Sequence, residues 1–511
     1  MNMISKIHIA LLLLCCAGSV QAQTKSADNE TVGDEHALIG VGSGKSTSHT
    51  QHPDAQWYPD AGLGLFIHWG ICSVKAMNIS WPMIPGRALA RQRIADPAER
   101  ARIIQEADWN LNGRKPEITP NEYWQMARDF NPQNYDPDKW LKAAKAAGFT
   151  YAVLTTRHHE GFSLWPSDYD DFNTGTYMGR RDLVKEYVEA CRRNGLKVGL
   201  YYSPPDWHFD RDYMSFLYGG ARKLNPEFPS LDADLKPRTA KHTAEEIAAH
   251  QAEYARLVNG QIEELLTRYG KIDLLWFDGK PDAGTNKIIS QERIRQLQPG
   301  IVINPRLHGH GDFVTYERTL GATGPVTGWA EFCNTWTTTW SHTDRPFRAP
   351  GYVLGQLAAS RAVGVNYLLG VGPMSSGEFC PAIYENMAKI SGWMQRNSVA
   401  VKTARPLPNG ETASVPATAA GATRYLFALP KFAGDGAYEK DLLPPTDMTL
   451  TLTGVSAPAR VVLTSDGSAL KYDYSKKTVM IQLPAGKRTP LVDVVQIDLT
   501  SNLTKNEPTH E

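Results

Sequence analysis

Cysteine is scarce in this sequence: six residues in 511. Cys15 and Cys16 sit in an apolar run near the N-terminus, and Cys72, Cys191, Cys333 and Cys380 are scattered. That pattern excludes a disulfide framework and lacks zinc-finger spacing. Positive charge is not in excess either, with 54 Lys plus Arg against 54 Asp plus Glu. The electrostatic footprint of a nucleic-acid binder is therefore missing. The apolar run Ile7–Ala17 is shorter than the roughly 20 residues a membrane span needs. No HExxH zinc-hydrolase spacing occurs, and no Gly-rich phosphate loop follows the first strand.

Aromatics, in contrast, are abundant, with 13 Trp and 21 Tyr. Such rings pack on the apolar faces of sugars as well as in cores. The length predicts two folded domains. Lys6, the apolar run and Val20-Gln21-Ala22 read as a signal segment over residues 1–22, with cleavage after Ala22 and export to the periplasm or the medium. Lipid anchoring at Cys15 or Cys16 is the lesser alternative, because neither follows a small residue. Residues 23–52 are polar and unpatterned and are expected to be a disordered leader.

From residue 53 to about 402 the chain alternates strand and helix. Gly62–Ile67, Tyr151–Thr156, Lys197–Leu200, Ile272–Phe277, Ile301–Asn304 and Val365–Gly370 read as buried strands. Pro137–Ala147, Arg181–Arg193, Thr243–Tyr269, Gln291–Leu297, Tyr352–Ala362 and Ala382–Arg396 read as helices, and Arg87–Glu106 as partly helical. Glu317 falls in a long Gly-rich loop in this reading. The repetition predicts a parallel sheet, best as a TIM-like (β/α)8 barrel, with a doubly wound sheet as runner-up. Residues 403–505 change to short strands divided by Gly, Pro and Asp turns, which predicts an antiparallel β-sandwich.

The chemistry gathers at strand ends. His68, the pair His158-His159, Tyr201, Asp278 and Arg306 each follow a predicted barrel strand. In a barrel those ends converge on one face. Asp278 ends the apolar run Leu274-Leu275-Trp276-Phe277 and is a candidate nucleophile; a helix cap or turn is the bland alternative. His158 and His159 would face opposite ways on a regular strand, so both enter one pocket only if the strand has ended before them.

Six stretches resemble glycoside hydrolase family 29, the retaining α-L-fucosidases. They are Gly64–Gly70, Thr155–Phe162, Leu164–Ser167, Leu200–Ser203, Leu274–Gly279 and Tyr367–Pro373, in family order. The resemblance implies that Asp278 is the nucleophile. It implies that His68, His158, His159, Tyr201, Trp276 and Arg306 line a fucose pocket. For the acid/base it offers Glu317, preferred for its place beside a barrel mouth, and Glu331, in a Trp-Ala-Glu-Phe-Cys segment with one extra residue. Many members carry Glu-Trp in the loop after the first strand; here the match is Ser80-Trp81, which keeps the Trp contact and loses the carboxylate.

The resemblance further implies hydrolysis of terminal α-L-fucosyl residues from a fucosylated oligosaccharide or glycoconjugate, by double displacement and without metal or cofactor. An α-L-galactosidase of the same family, a sugar-binding protein on a decayed hydrolase scaffold, and a metal site at His68, His158 and His159 are the alternatives. The sequence carries no signal for an oligomeric state.

Overall fold

The computed structural model describes residues 33–34, 48–86, 98, 118–224, 226, 228–434 and 437–500. The signal segment and the expected helix at Arg87–Glu106 lie outside them, apart from Ala98.

Eight strands form one parallel sheet: β1 Leu63–Ile67, β2 Tyr151–Arg157, β3 Lys197–Tyr202, β4 Leu274–Phe277, β5 Val302–Ile303, β6 Phe313–Glu317, β7 Trp329–Thr335 and β8 Asn366–Val371. Their order around the sheet is β5-β4-β3-β2-β1-β8-β7-β6, so sequence neighbours are spatial neighbours and the sheet is a nearly closed barrel. Helices α1 Pro137–Ala146, α2 Leu183–Arg193, α3 Ala244–Thr267, α4 Gln291–Leu297, α5 Pro350–Ala362 and α6 Pro381–Val401 surround it. Their starts obey local chemistry. Asp182 accepts from Lys185 N at the head of α2, and Thr243 and Glu246 form a reciprocal capping box on α3. Gly148 and Gly195, at φ +84° and +64°, follow α1 and α2 and turn the chain into β2 and β3.

The open seam lies between β5 and β6, and Asp312 clips it. Its N–H donates to Ile303 O at 2.8 Å, while Ile303 N donates to its Oδ2 at 2.8 Å. Together these bonds imitate one rung of a ladder. Arg295 Nη2 (2.8 and 2.9 Å) and Thr50 N (2.7 Å) also donate to the same carboxylate. At the end of the expected leader, Thr50 is bonded to Asp312, and His49 stacks on Trp329 at 4.1 Å.

Two strands, β6 and β7, run where the sequence reading had no strand, so Glu317 ends a strand instead of lying in a loop. Buried Glu331, Asn334 and Thr335 interrupt the apolar run that marks the other strands. The barrel interior is filled by rings. A Cβ on Gly64 of β1 would lie 2.2 Å from Tyr151 Cζ, so glycine there is the space through which Tyr151 crosses the barrel.

After α6 the chain builds two antiparallel sheets. One has five strands, centred on Thr423–Ala428 and Asp493–Leu499; the other has four, centred on Met448–Thr453 and Thr478–Leu483. Leu426, Leu450, Leu452, Val479, Ile481, Val495 and Ile497 fill the space between them. This sandwich is tied to α6 through Trp393 Nε1 on Val492 O (2.7 Å) and Thr418 Oγ1 on Ala400 O (2.8 Å). No helix of the described residues is long and apolar enough to cross a membrane.

Candidate active site

Asp278 follows the last residue of β4, and its carboxylate is held on both oxygens. Arg306 Nη1 donates to Oδ1 at 2.6 Å, and the Tyr201 hydroxyl donates to Oδ2 at 2.9 Å. Burial first, then the neighbouring Asp278 charge, pushes the Tyr201 phenol far above its usual range. Tyr201 therefore remains a proton donor. Arg306, just past β5, reaches Glu317 Oε2 with its other terminal nitrogen, Nη2, at 2.5 Å. Burial alone would weaken the guanidinium's hold on its proton, but Glu317 and Asp278 outweigh burial and push its pKa up. One planar guanidinium thus spans both carboxylates, a geometry that suits arginine and not lysine. Its face lies 4.6 Å over the Trp276 ring.

The histidines surround Asp278. β2 ends at Arg157, with a register shift between Thr155 and Arg157, so His158 and His159 lie past the strand and both turn inward. His159 Nε2 is 3.5 Å from Asp278 Oδ2, and its Nδ1 meets Ser203 Oγ at 2.6 Å. Because Ser203 donates to Pro205 O at 2.8 Å, its oxygen accepts from His159 Nδ1–H. The His158 ring lies parallel to Tyr201, centroids 5.5 Å apart. His68 stacks on Trp340 at 4.8 Å. Burial, then the charges of His158 and Arg318, drives its pKa well below the ordinary value, so it stays neutral. Trp81 presents an edge contact to His159 at 5.6 Å.

Glu331 is elsewhere. Register places Glu317 opposite Cys333 and Thr315 opposite Glu331, so Glu331 lies two residues, about 6–7 Å, deeper along the barrel. There it accepts from Tyr151 OH (2.5 Å), Trp276 Nε1 (2.9 Å) and Tyr58 OH (3.3 Å). Burial raises its pKa to about 7 in spite of these donors. It braces Trp276 from below, within the packed interior.

The site therefore unites His68, Trp81, His158, His159, Tyr201, Trp276, Asp278, Arg306 and Glu317, and sets Glu331 beneath them. The sequence reading passed over Glu160, Ser203 and Trp340. The first two lie inside quoted stretches, Thr155–Phe162 and Leu200–Ser203, but were given no role; Trp340 carries no local signal. His158, His159 and Asp278 each offer one ligand atom within 4.8 Å of the others. A divalent cation there would compete with Arg306, whose positive guanidinium is already bonded to Asp278. The donor set suits an anion bound by arginine better than a metal.

A model of the alpha-L-fucosidase family matches residues 43–399. This chain belongs to that family. Membership makes it a glycoside hydrolase of family 29. The bovine tissue alpha-L-fucosidase is 25% identical over 371 residues, 69% of this chain and 70% of its own. The alpha-L-fucosidase of Branchiostoma floridae is 26% identical over 376 residues, 70% of this chain and 74% of its own. Among solved structures, alpha-L-fucosidase isoenzyme 1 from Paenibacillus thiaminolyticus superposes with a TM-score of 0.61 at 27% identity, covering 88% of this chain and 99% of that one. The GH29 alpha-L-fucosidase of Bacteroides thetaiotaomicron gives 0.62 at 20%, covering 90% and 97%, a likeness of fold.

Proposed function

We propose that this protein is an exported, retaining exo-α-L-fucosidase that removes terminal α-L-fucosyl residues from glycans. The observation that carries the mechanism is the Arg306 bridge between Asp278 and Glu317. Retaining enzymes hold their two carboxyl groups about 5–5.5 Å apart, against roughly 6.5–9.5 Å in inverting ones. A guanidinium shared by both carboxylates favours the shorter spacing.

In the first step an Asp278 oxygen bonds to the anomeric carbon as the bond to the leaving oxygen breaks. Glu317 delivers its proton to that oxygen. The step requires that proton on Glu317 while Asp278 is ionised. Once the glycosyl ester forms, Asp278 is neutral and Arg306 faces Glu317 alone. That favours the Glu317 carboxylate, which then takes a proton from water as the water attacks the anomeric carbon and frees Asp278. Tyr201 and Arg306, donating to its two oxygens, fix the orientation of the Asp278 carboxylate.

The test is turnover of an aryl α-L-fucoside. Wild type releases the α-anomer of fucose first, and Asp278→Ala loses hydrolysis. Glu317→Ala accumulates the intermediate, and azide, which needs no general base, restores turnover as α-L-fucosyl azide after two inversions. A wild-type protein inert on the fucoside, or an Asp278→Ala variant that still hydrolyses it, overturns the proposal. Export rests on Lys6, the apolar run and Val20-Gln21-Ala22. Mass spectrometry of the native protein is expected to show an N-terminus at Gln23; an intact Met1 refutes it.

A further inference from the structure

The two neighbouring histidines use one device with different endings. His159 Nδ1 donates to Ser203, which donates to a backbone carbonyl. His158 Nδ1 meets Ser80 Oγ at 2.5 Å, and Ser80 donates to Glu160 Oε2. Glu160 is 1% exposed, and its Oε2 lies 3.5 Å from His158 Nδ1. Its backbone carbonyl is fixed by Trp124 Nε1 at 3.1 Å. The loop that lacks a carboxylate before Trp81 thus meets one from the end of β2.

Ser80 is placed at a cost. Ile79, immediately before it, has φ +43°, a left-handed conformation that a β-branched side chain resists. Two bonds hold it there: its N–H donates to Ser341 Oγ at 2.7 Å, and its carbonyl accepts from Tyr123 OH at 2.9 Å. Strain of this kind persists where the surroundings over-determine it, and it concentrates at functional sites.

Building on the fucosidase reading, we propose that Glu160 and Ser80 are positioning residues that hold His158 as its Nδ1–H tautomer. The chain runs from His158 Nδ1–H to Ser80 Oγ, and from the Ser80 hydroxyl to the Glu160 carboxylate. A carboxylate is acceptor-only, so the hydroxyl must point to it and its oxygen must accept from the ring. The unprotonated Nε2 is then the ring nitrogen left for the pocket, where His68, His159 and Tyr201 gather. There it accepts from one sugar hydroxyl. The dependence of specificity on that hydroxyl is set by a residue that never touches the sugar.

The test pairs enzyme variants with substrate variants. Aryl α-L-fucosides lacking the 2-, 3- or 4-hydroxyl are compared with the parent on wild type, Glu160→Gln and Ser80→Ala. Glu160→Gln is expected to lower kcat/KM for the parent on the order of 10–100-fold, by analogy with the outer partners that orient metal-bound histidines. One deoxy substrate that is poor on wild type is expected to lose most of its handicap on Glu160→Gln and Ser80→Ala. 15N NMR of histidine-labelled protein, with His158 assigned by difference from His158→Asn, is expected to show protonated Nδ1 in wild type and a mixed state in Glu160→Gln. Equal losses on every fucoside, or an Nε2–H tautomer in wild type, overturns the relay. If Ser80→Ala does not fold, the isosteric Glu160→Gln carries both readouts. A wild type inert on the parent fucoside refutes the fucosidase reading instead, and the NMR result still decides the tautomer.

Discussion

Replacing Glu331 by Gln is expected to change stability with a sign that depends on pH. The buried carboxyl accepts from Tyr58, Tyr151 and Trp276. At pH 4 the protonated acid still has two oxygens that can accept and one hydroxyl donor, whereas the amide has one accepting oxygen and two N–H donors, so at least one buried group loses its partner. That costs roughly 1–3 kcal/mol. Burial raises the folded-state pKa of Glu331 from 4.5 to about 7. An acid with a raised folded pKa contributes stability that is fully present below its unfolded pKa and is lost as pH rises through the folded one. The wild type therefore loses about 3 kcal/mol from this group between pH 4.5 and 7, by the free energy of the pKa difference. Glu331→Gln cannot titrate and loses nothing. Urea denaturation of both proteins at pH 4 and pH 8 isolates the effect, since every other group titrates alike in the pair. The variant is expected to be the less stable protein at pH 4 and equal or more stable at pH 8. A difference constant with pH refutes the buried-acid assignment. The same residue separates the two glutamates in function: azide is not expected to rescue Glu331→Ala, and rescue there with none in Glu317→Ala would make Glu331 the acid/base.

Arg306→Lys keeps the charge but cannot span both carboxylates, so kcat is expected to fall on the order of 100-fold with the fold's melting temperature little changed; near-normal kcat argues against the bridge. Asp312→Ala removes the seam clip and strands the Ile303 and Thr50 N–H groups and Arg295. Its urea midpoint is expected to fall in line with a loss of about 3–5 kcal/mol, and an unchanged midpoint refutes the clip. Burial raises the thiols of Cys72 and Cys333 and pushes Cys191 up to about 12, and all three are buried, whereas Cys380 is only half-buried. Ellman's reagent on the native protein is expected to reach Cys380 alone of these four, and prompt labelling of Cys191 contradicts the burial.

The first five strands and the last were legible because each is an apolar run, and the first five have a polar residue at the exit, since a buried strand has no other cheap place for one. That single rule located His68, Tyr201, Asp278 and Arg306. β6 and β7 were not legible, since Glu331, Asn334 and Thr335 are buried polar residues inside or ending a strand, and Glu331 is satisfied by partners far away in sequence. Tyr58 lies 273 residues from Glu331 and Tyr151 lies 180. The Asp312 seam and the Ser80–Glu160 contact, 80 residues apart, were hidden for the same reason.

What the residues themselves determined is the parallel alternation, the family and the identity of the groups at the barrel mouth. These follow from local pattern, which is written in consecutive positions. What only the tertiary structure decided is depth. Glu317 and Glu331 are both glutamates late in the barrel's sequence, and only an expected place beside a barrel mouth favoured the first. The pairing of β6 with β7 puts Glu317 level with Cys333 and Glu331 two residues below it. One carboxyl reaches Arg306 at the mouth, and the other is locked under Trp276. Register belongs to a pair of strands and to neither alone, so it exists only once the chain has folded.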